Sequence, residues 1–167
     1  MSPWCAHLNE FGTRPALIVG EQTHTYAQLV AAIAQDKQAL AKIIQPGQVV
    51  AVLSDYHFAA ISVFFALSEL KAVIVPIVAG TPDAVAQKCQ VAQVDWVVQF
   101  SEQGPHQWRI DPSGPSGTDH KHDLIEQLQA TQQPGLVLFS SGSTGVPKAM
   151  VHNLARLMQP LRHKKTK

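Results

Sequence analysis

Val49-Val50-Ala51-Val52-Leu53, Ala72-Val73-Ile74-Val75 and Asp95 to Phe100, with Trp96-Val97-Val98 inside it, are three short apolar runs in mid-chain. Each is apolar at successive positions, so both faces are buried, as in an interior strand of a parallel sheet. Between the first two, Tyr56 to Leu70 reads as a helix buried over much of its surface. Between the last two, Thr81-Pro82 pairs a capping hydroxyl with a proline at the first helical position and opens a helix to about Gln93. The order strand-helix-strand-helix-strand calls for a parallel sheet with right-handed crossovers. The expected fold class is α/β, a parallel-rich sheet with flanking helices. Pro76 is expected to close the second strand, since proline cannot donate to a ladder.

Upstream, Ala16-Leu17-Ile18-Val19 and Gln22-Thr23-His24-Thr25 flank Gly20-Glu21 and read as a strand, a turn and a returning strand. Thr25 with Gln28 fits a capping box, in which the two side chains satisfy free amides at the helix start. Tyr26, Leu29, Val30, Ile33, Leu40 and Ile44 recur at helical spacing, and Pro46-Gly47 ends the helix. Downstream, Gln103 to Lys121 is rich in glycine and proline and reads as a loop, with room for a short strand at Trp108-Arg109-Ile110. A helix is expected from about His122 to Ala130. Leu136-Val137-Leu138-Phe139 is a strand, Ala149-Met150-Val151 a returning one, and Asn153 a cap for a helix from Leu154 that Pro160 cuts short.

Composition narrows the function classes. The chain has 167 residues, 46% hydrophobic and 15% charged, enough for a packed core. Its net charge of +1 supplies no field for nucleic acid or an anionic membrane. The basic tail, Arg162 to Lys167, reads as a solvated end. Cys5 and Cys89 form neither a CxxC pair nor a multi-bridge framework and fit a reducing cytoplasm as buried apolar thiols. His120 and His122 stand two apart, a poor helical spacing for shared metal ligation, and no HExxH or cysteine partner supports them. Residues 1–10 lack the features of a signal peptide, and the most apolar stretch, Phe58 to Leu67, is too short to span a bilayer.

The chemistry lies in Ser140-Ser141-Gly142-Ser143-Thr144-Gly145-Val146-Pro147-Lys148. Gly142 and Gly145 admit positive φ and close backbone approach. Inward-turned amides form an anion nest. Ser140, Ser141, Ser143 and Thr144 add hydroxyl donors, Lys148 adds a compact positive charge, and Pro147 stiffens the exit. A polyphosphate needs this set of donors and charge. The alternative is a flexible Ser/Gly linker, but an apolar strand enters this loop and apolar residues follow it. It is not a Walker loop either, because Pro147 stands where that motif needs glycine before the lysine.

The stretch from Leu136 to Asn153, LVLFSSGSTGVPKAMVHN, closely resembles the signature of the AMP-forming acyl-CoA synthetase, luciferase and peptide-synthetase adenylation family. Upstream, His24 to Leu29 resembles that family's xTYxEL element, Pro46 to Leu53 its PGDxVAIxL strand, and Ala66 to Pro76 its AxLKAGAxxVPL stretch. Gln28 replaces the usual acid, and Ala72 stands where glycine is common. Ala149 replaces a frequent glycine after Pro-Lys. His152 matches one histidine often seen after the loop, but Leu154 stands at a second.

The resemblance implies the start of a large N-terminal adenylation domain, covering residues 1–167 in part, with a C-terminal lid domain absent. It implies ATP-dependent activation of a carboxylic acid as an acyl adenylate, usually followed by transfer to the thiol of coenzyme A or a carrier-protein pantetheine. ATP phosphates would meet Ser140, Ser141, Gly142, Ser143, Thr144, Gly145 and Lys148. Mg2+ would be held largely by residues outside this chain, and none here is expected to act as general acid or base. The chain alone is expected to be inactive, marginally stable and cytoplasmic. A non-catalytic nucleotide-binding or interaction remnant of such an enzyme, and a plain α/β domain with a connector loop, are the alternatives.

Overall fold

The computed structural model describes residues 3–78, 80–101, 108–114, 120–140 and 147–159. The chain begins with helix α1 (Pro3–Asn9), which the sequence reading did not anticipate, and a hairpin of β1 (Pro15–Val19) and β2 (Gln22–Thr25). Then follow α2 (Tyr26–Leu40), β3 (Val49–Leu53), α3 (Phe58–Glu69), β4 (Val73–Ile77), α4 (Pro82–Val91) and β5 (Trp96–Phe100). The remainder is β6 (Trp108–Pro112), α5 (Asp123–Ala130), β7 (Gly135–Ser140), β8 (Lys148–Asn153) and α6 (Leu154–Met158).

Among the described residues, six strands form the main sheet in the order β6-β5-β3-β4-β7-β8. The inner neighbours β5, β3, β4 and β7 are parallel, while β6 and β8 run antiparallel along the two sides. Alternation along the strands divides the core in two. Val50, Val52, Ile74 and Val98 pack with α2, α3 and α6, whereas Val49, Ala51, Val73, Val75 and Val137 pack with α4 and α5. These strands carry apolar residues at both parities because both sheet faces are covered by helices.

Local chemistry explains most of the boundaries. The Thr25–Gln28 capping box forms: Gln28 N–H donates to Thr25 Oγ1 at 3.2 Å and Thr25 N–H to Gln28 Oε1 at 2.8 Å. Thr81 Oγ1 caps α4 by accepting the Ala84 N–H. His57, unremarked in sequence, caps α3 through Nδ1, which accepts the Ala60 N–H. Helix α2 stops at Leu40, before Pro46, and its apolar stripe continues through a turn to buried Ile44.

Helices α3, α4 and α5 end alike. After α3, Ala72 N–H donates to Leu67 O and Lys71 N–H to Ser68 O, both at 3.1 Å. Val94 and Gln93 do the same to Cys89 and Gln90, and Gln133 and Gln132 to Leu128 and Gln129. This is the Schellman pattern, whose left-handed residue is usually glycine. Here it is Lys71, Gln93 and Gln132, with φ of 63, 53 and 52°. The site of backbone freedom in the first connector is therefore Lys71 rather than Ala72, which is fully buried.

Strand β4 does not stop at Pro76. It runs to Ile77 in register with β3, from Val49↔Val73 to Leu53↔Ile77. The reason is direction: Val73 N–H donates to Gln48 O and Ile77 O accepts from Ser54 N–H, so the odd residues bond toward β3. Pro76 turns its nitrogen the other way, and the β3 ladder loses nothing by it.

Candidate functional site

The carboxyl ends of β3 and β4 lie side by side, but their following helices pack on opposite faces: α3 contributes to one core and α4 to the other. Such a divergence is where open α/β sheets leave a crevice for ligands. On the α3 face a cavity of about 210 Å³ is lined by Val52, Ser54, Tyr56, Phe64, Pro76 and Val78. On the α4 face a groove of about 810 Å³ is lined in part by Leu53, Ile77, Val85, Val97 and Asp111.

Strand β7 ends at this same edge. Its base is fixed by backbone bonds from Gly135 N–H to Ala72 O and from Leu154 N–H to Pro134 O. Gly135 has no room for a side chain, since a Cβ would lie 2.7 Å from Leu128 Cδ1 and 3.0 Å from both Val73 methyls. Strand β8 returns antiparallel beside it, from Ser140↔Lys148 to Gly135↔Asn153. Asn153 Oδ1 then accepts the Arg156 N–H and starts α6, as its sequence position suggested.

The hairpin brings two of the seven expected phosphate-binding residues together. Ser140 and Lys148 are directly opposite and exposed at its mouth. Side chains so paired share a face, with Cβ atoms about 5 Å apart. By alternation that face also carries Leu136, Leu138, Met150 and His152. Ser141, Gly142, Ser143, Thr144 and Gly145 lie outside the described residues. On the opposite face Lys88 Nζ sits 5.9 Å from the centre of the Phe139 ring, placing a second cation near the end of β7.

The remaining polar groups have other partners. His120 and His122 are tied to the α4–β5 connector: Gln93 Nε2 donates to His120 O, and His122 N–H donates to Gln93 Oε1. The Nδ1 of His122 also caps α5 by accepting the Leu124 N–H. Among the described residues there is no group of three or more His, Cys, Asp or Glu placed to hold a metal. Burial, reinforced by the Glu69 carboxylate, pushes the Cys5 thiol up to about 11. Burial raises Cys89 as well. Both thiols stay protonated at neutral pH and are poor nucleophiles. Asp36, buried in α2, accepts hydrogen bonds from Ser62 Oγ and, at 2.8 Å, from Trp108 Nε1. It joins α2, α3 and β6, and nothing in its spacing announced that role. Among the described residues no helix is long and apolar enough to cross a membrane.

A family model described as "AMP-binding enzyme" matches residues 5–166. The chain belongs to the AMP-binding enzyme family. Solved structures agree on the fold. The N-terminal subdomain of NpsA from Klebsiella oxytoca, in complex with 3-hydroxybenzoyl-AMSN, is 21% identical and superposes with a TM-score of 0.64 over 88% of this chain and 39% of its own. The o-succinylbenzoate CoA synthetase MenE from Bacillus subtilis, in complex with the acyl-adenylate intermediate OSB-AMP, is 17% identical, with a TM-score of 0.63 over 100% of this chain and 47% of its own. NpsA-ThdA, an artificially fused adenylation-PCP di-domain from Klebsiella oxytoca, gives 22%, 0.63, 88% and 31%. No curated protein matches the sequence. The chain thus spans less than half the length of these solved structures.

Proposed function

We propose that this AMP-binding chain is part of an adenylation domain and grips the triphosphate of ATP while a carboxylic acid is activated. A carboxylate oxygen of the acid attacks the α-phosphorus, the bond from that phosphorus to the bridging oxygen breaks, and pyrophosphate leaves with the electron pair. Ser140, Ser141, Ser143 and Thr144 donate hydroxyl hydrogen bonds to the β- and γ-phosphate oxygens. Gly142 and Gly145 let main-chain amides approach, and the Lys148 ammonium balances the charge that gathers on the departing pyrophosphate. Among the described residues no group of three or more His, Cys, Asp or Glu is placed to hold Mg2+. A thiol, of coenzyme A or a carrier-protein pantetheine, then attacks the acyl carbon of the adenylate and gives up its proton to solvent; the carbon–oxygen bond to the phosphate breaks and AMP leaves, in a cytoplasmic setting.

The observation that carries this reading is the pairing of Ser140 with Lys148 at the carboxyl end of a parallel sheet, in a chain whose family match runs across both. NpsA and MenE, which share the fold, were solved with acyl-adenylate ligands or analogues, and the fused NpsA-ThdA supports a carrier-protein acceptor. Calorimetric titration of the full chain with ATP and with pyrophosphate tests it. Lys148→Ala combined with Thr144→Ala is expected to weaken both by at least about tenfold, the loss of one charge-assisted contact, while leaving the melting temperature unchanged. Equal affinity in the variant refutes the reading.

A further inference from the structure

Pro76 occupies a position that sheets rarely give to proline: an interior strand, with a neighbour in register on each side. Toward β3 the ladder is intact. Toward β7 it is short, with only Val73↔Gly135 and Ile74↔Leu136 in register, although β7 continues to Ser140. The hydrogen-bond directions explain the stop. Gly135 N–H donates to Ala72 O, so the even residues of this segment bond toward β7. In a parallel ladder the next exchanges on that side use the N–H groups of residues 74 and 76. Residue 76 is proline and has no N–H. The rung that would bind Val137 O cannot form, and pairing ends one residue short of it. From there to Ser140, β7 keeps β8 alone as its partner in register. The same proline lines the small cavity on the α3 face.

We propose that Pro76 is a positioning residue for the phosphate site: by withholding one N–H it stops the β4–β7 ladder and holds the carboxyl ends of these strands apart, where Ser140 and Lys148 open toward a ligand. This rests on the phosphate reading above and adds to it the device that keeps the crevice from zipping shut. The ligand admitted is the polyphosphate of a nucleotide, and the groups that Pro76 keeps unzipped are main-chain groups of β4 and β7 beyond Ile74 and Leu136.

The test restores the missing donor in the full chain. Pro76→Ala, or Pro76→Val should the alanine variant fold poorly, is expected to give residue 76 an amide protected from hydrogen exchange and to slow exchange at Phe139 by about tenfold or more. ATP affinity is expected to fall about tenfold in step. Exchange at Val73, whose N–H bonds to Gln48 O, and at Ser54, whose N–H bonds to Ile77 O, should stay as in the parent and report an intact β3–β4 ladder. An amide at residue 76 that exchanges like a loop amide overturns the proposal, because proline is then not what ends the ladder. A lengthened ladder with unchanged ATP affinity overturns it too, because the separation then has no bearing on the ligand. If the unaltered chain fails to bind ATP at all, the phosphate reading itself falls. That failure is visible before any substitution is made and so is distinct from the other two.

Discussion

The two ends of the parallel sheet differ in how they are tied. At the amino end, Asp95 Oδ2 accepts the Val49 N–H at 2.8 Å and Oδ1 accepts Lys121 Nζ at 2.6 Å. Trp96 Nε1 donates to Gln48 Oε1, Gln129 Nε2 donates to Gly47 O, and Gly47 N–H donates to Lys71 O. Gly47, at φ 83°, lies so close to Gln129 that a Cβ would fall 2.4 Å from its Cγ. At the carboxyl end the described ties are few: Ser54 N–H to Ile77 O joins β3 to β4, Arg109 reaches Gln99, and grooves take up the space between. Side chains at one end are spent on closing the sheet, and those at the other are left for a ligand. In α/β proteins generally, ligands gather at the carboxyl edge.

That contrast can be broken from either side. The largest effect is expected at the amino end: Asp95→Ala strips Val49 N–H of its acceptor and Lys121 of one of its two in a half-buried place, and should cost about 1–3 kcal/mol. Urea denaturation measures it, and a change below about 0.5 kcal/mol would dissolve the distinction between the two ends. Lys71→Gly sharpens it from the other direction. The left-handed backbone at Lys71 suits glycine, so this variant should be more stable by up to about 1 kcal/mol. The smallest effect concerns His57, near the carboxyl end. Its ring is packed edge-on at 4.7 Å from Phe100. Burial holds its proton affinity below the ordinary value of 6.5, against an upward pull from Asp55. The unfolded chain therefore binds the proton more readily, and stability present above pH 6.5 is lost as pH falls below it. His57→Asn, which keeps an acceptor for the cap, should flatten the slope of melting temperature against pH between 7 and 5. An unchanged slope assigns the titration elsewhere.

Much of this architecture could be read from residues alone. The buried runs at Val49, Val73 and Trp96 declared a parallel sheet, and Thr25 with Gln28 and Thr81 with Pro82 marked two helix starts. These are local rules with few competitors. The misreadings came where direction or tertiary contact decides. Pro76 ends one ladder and not the other, and no sequence pattern says which neighbour its nitrogen faces. Helix α1 has seven residues and its Cys5 is buried against the core, so packing holds it where propensity alone would not. Lys71, Gln93 and Gln132 adopt a conformation that signals a helix end only when glycine is present. At the candidate site the hairpin could be foreseen from the apolar runs on either side. The opposition of Ser140 to Lys148 needed the register, which the apolar runs alone do not give.

The shared ending of α3, α4 and α5 limits how this sequence can drift. Each helix hands over to its strand through the same short step, and the strand's first inward residue is already fixed by the bond back to the helix. A single codon gained or lost in such a step would invert the strand beyond it, sending core side chains to the wrong layer. Length variation among descendants of this gene should therefore collect at the opposite rim, after β3 and β5, where loops of any size can be carried without turning a strand over.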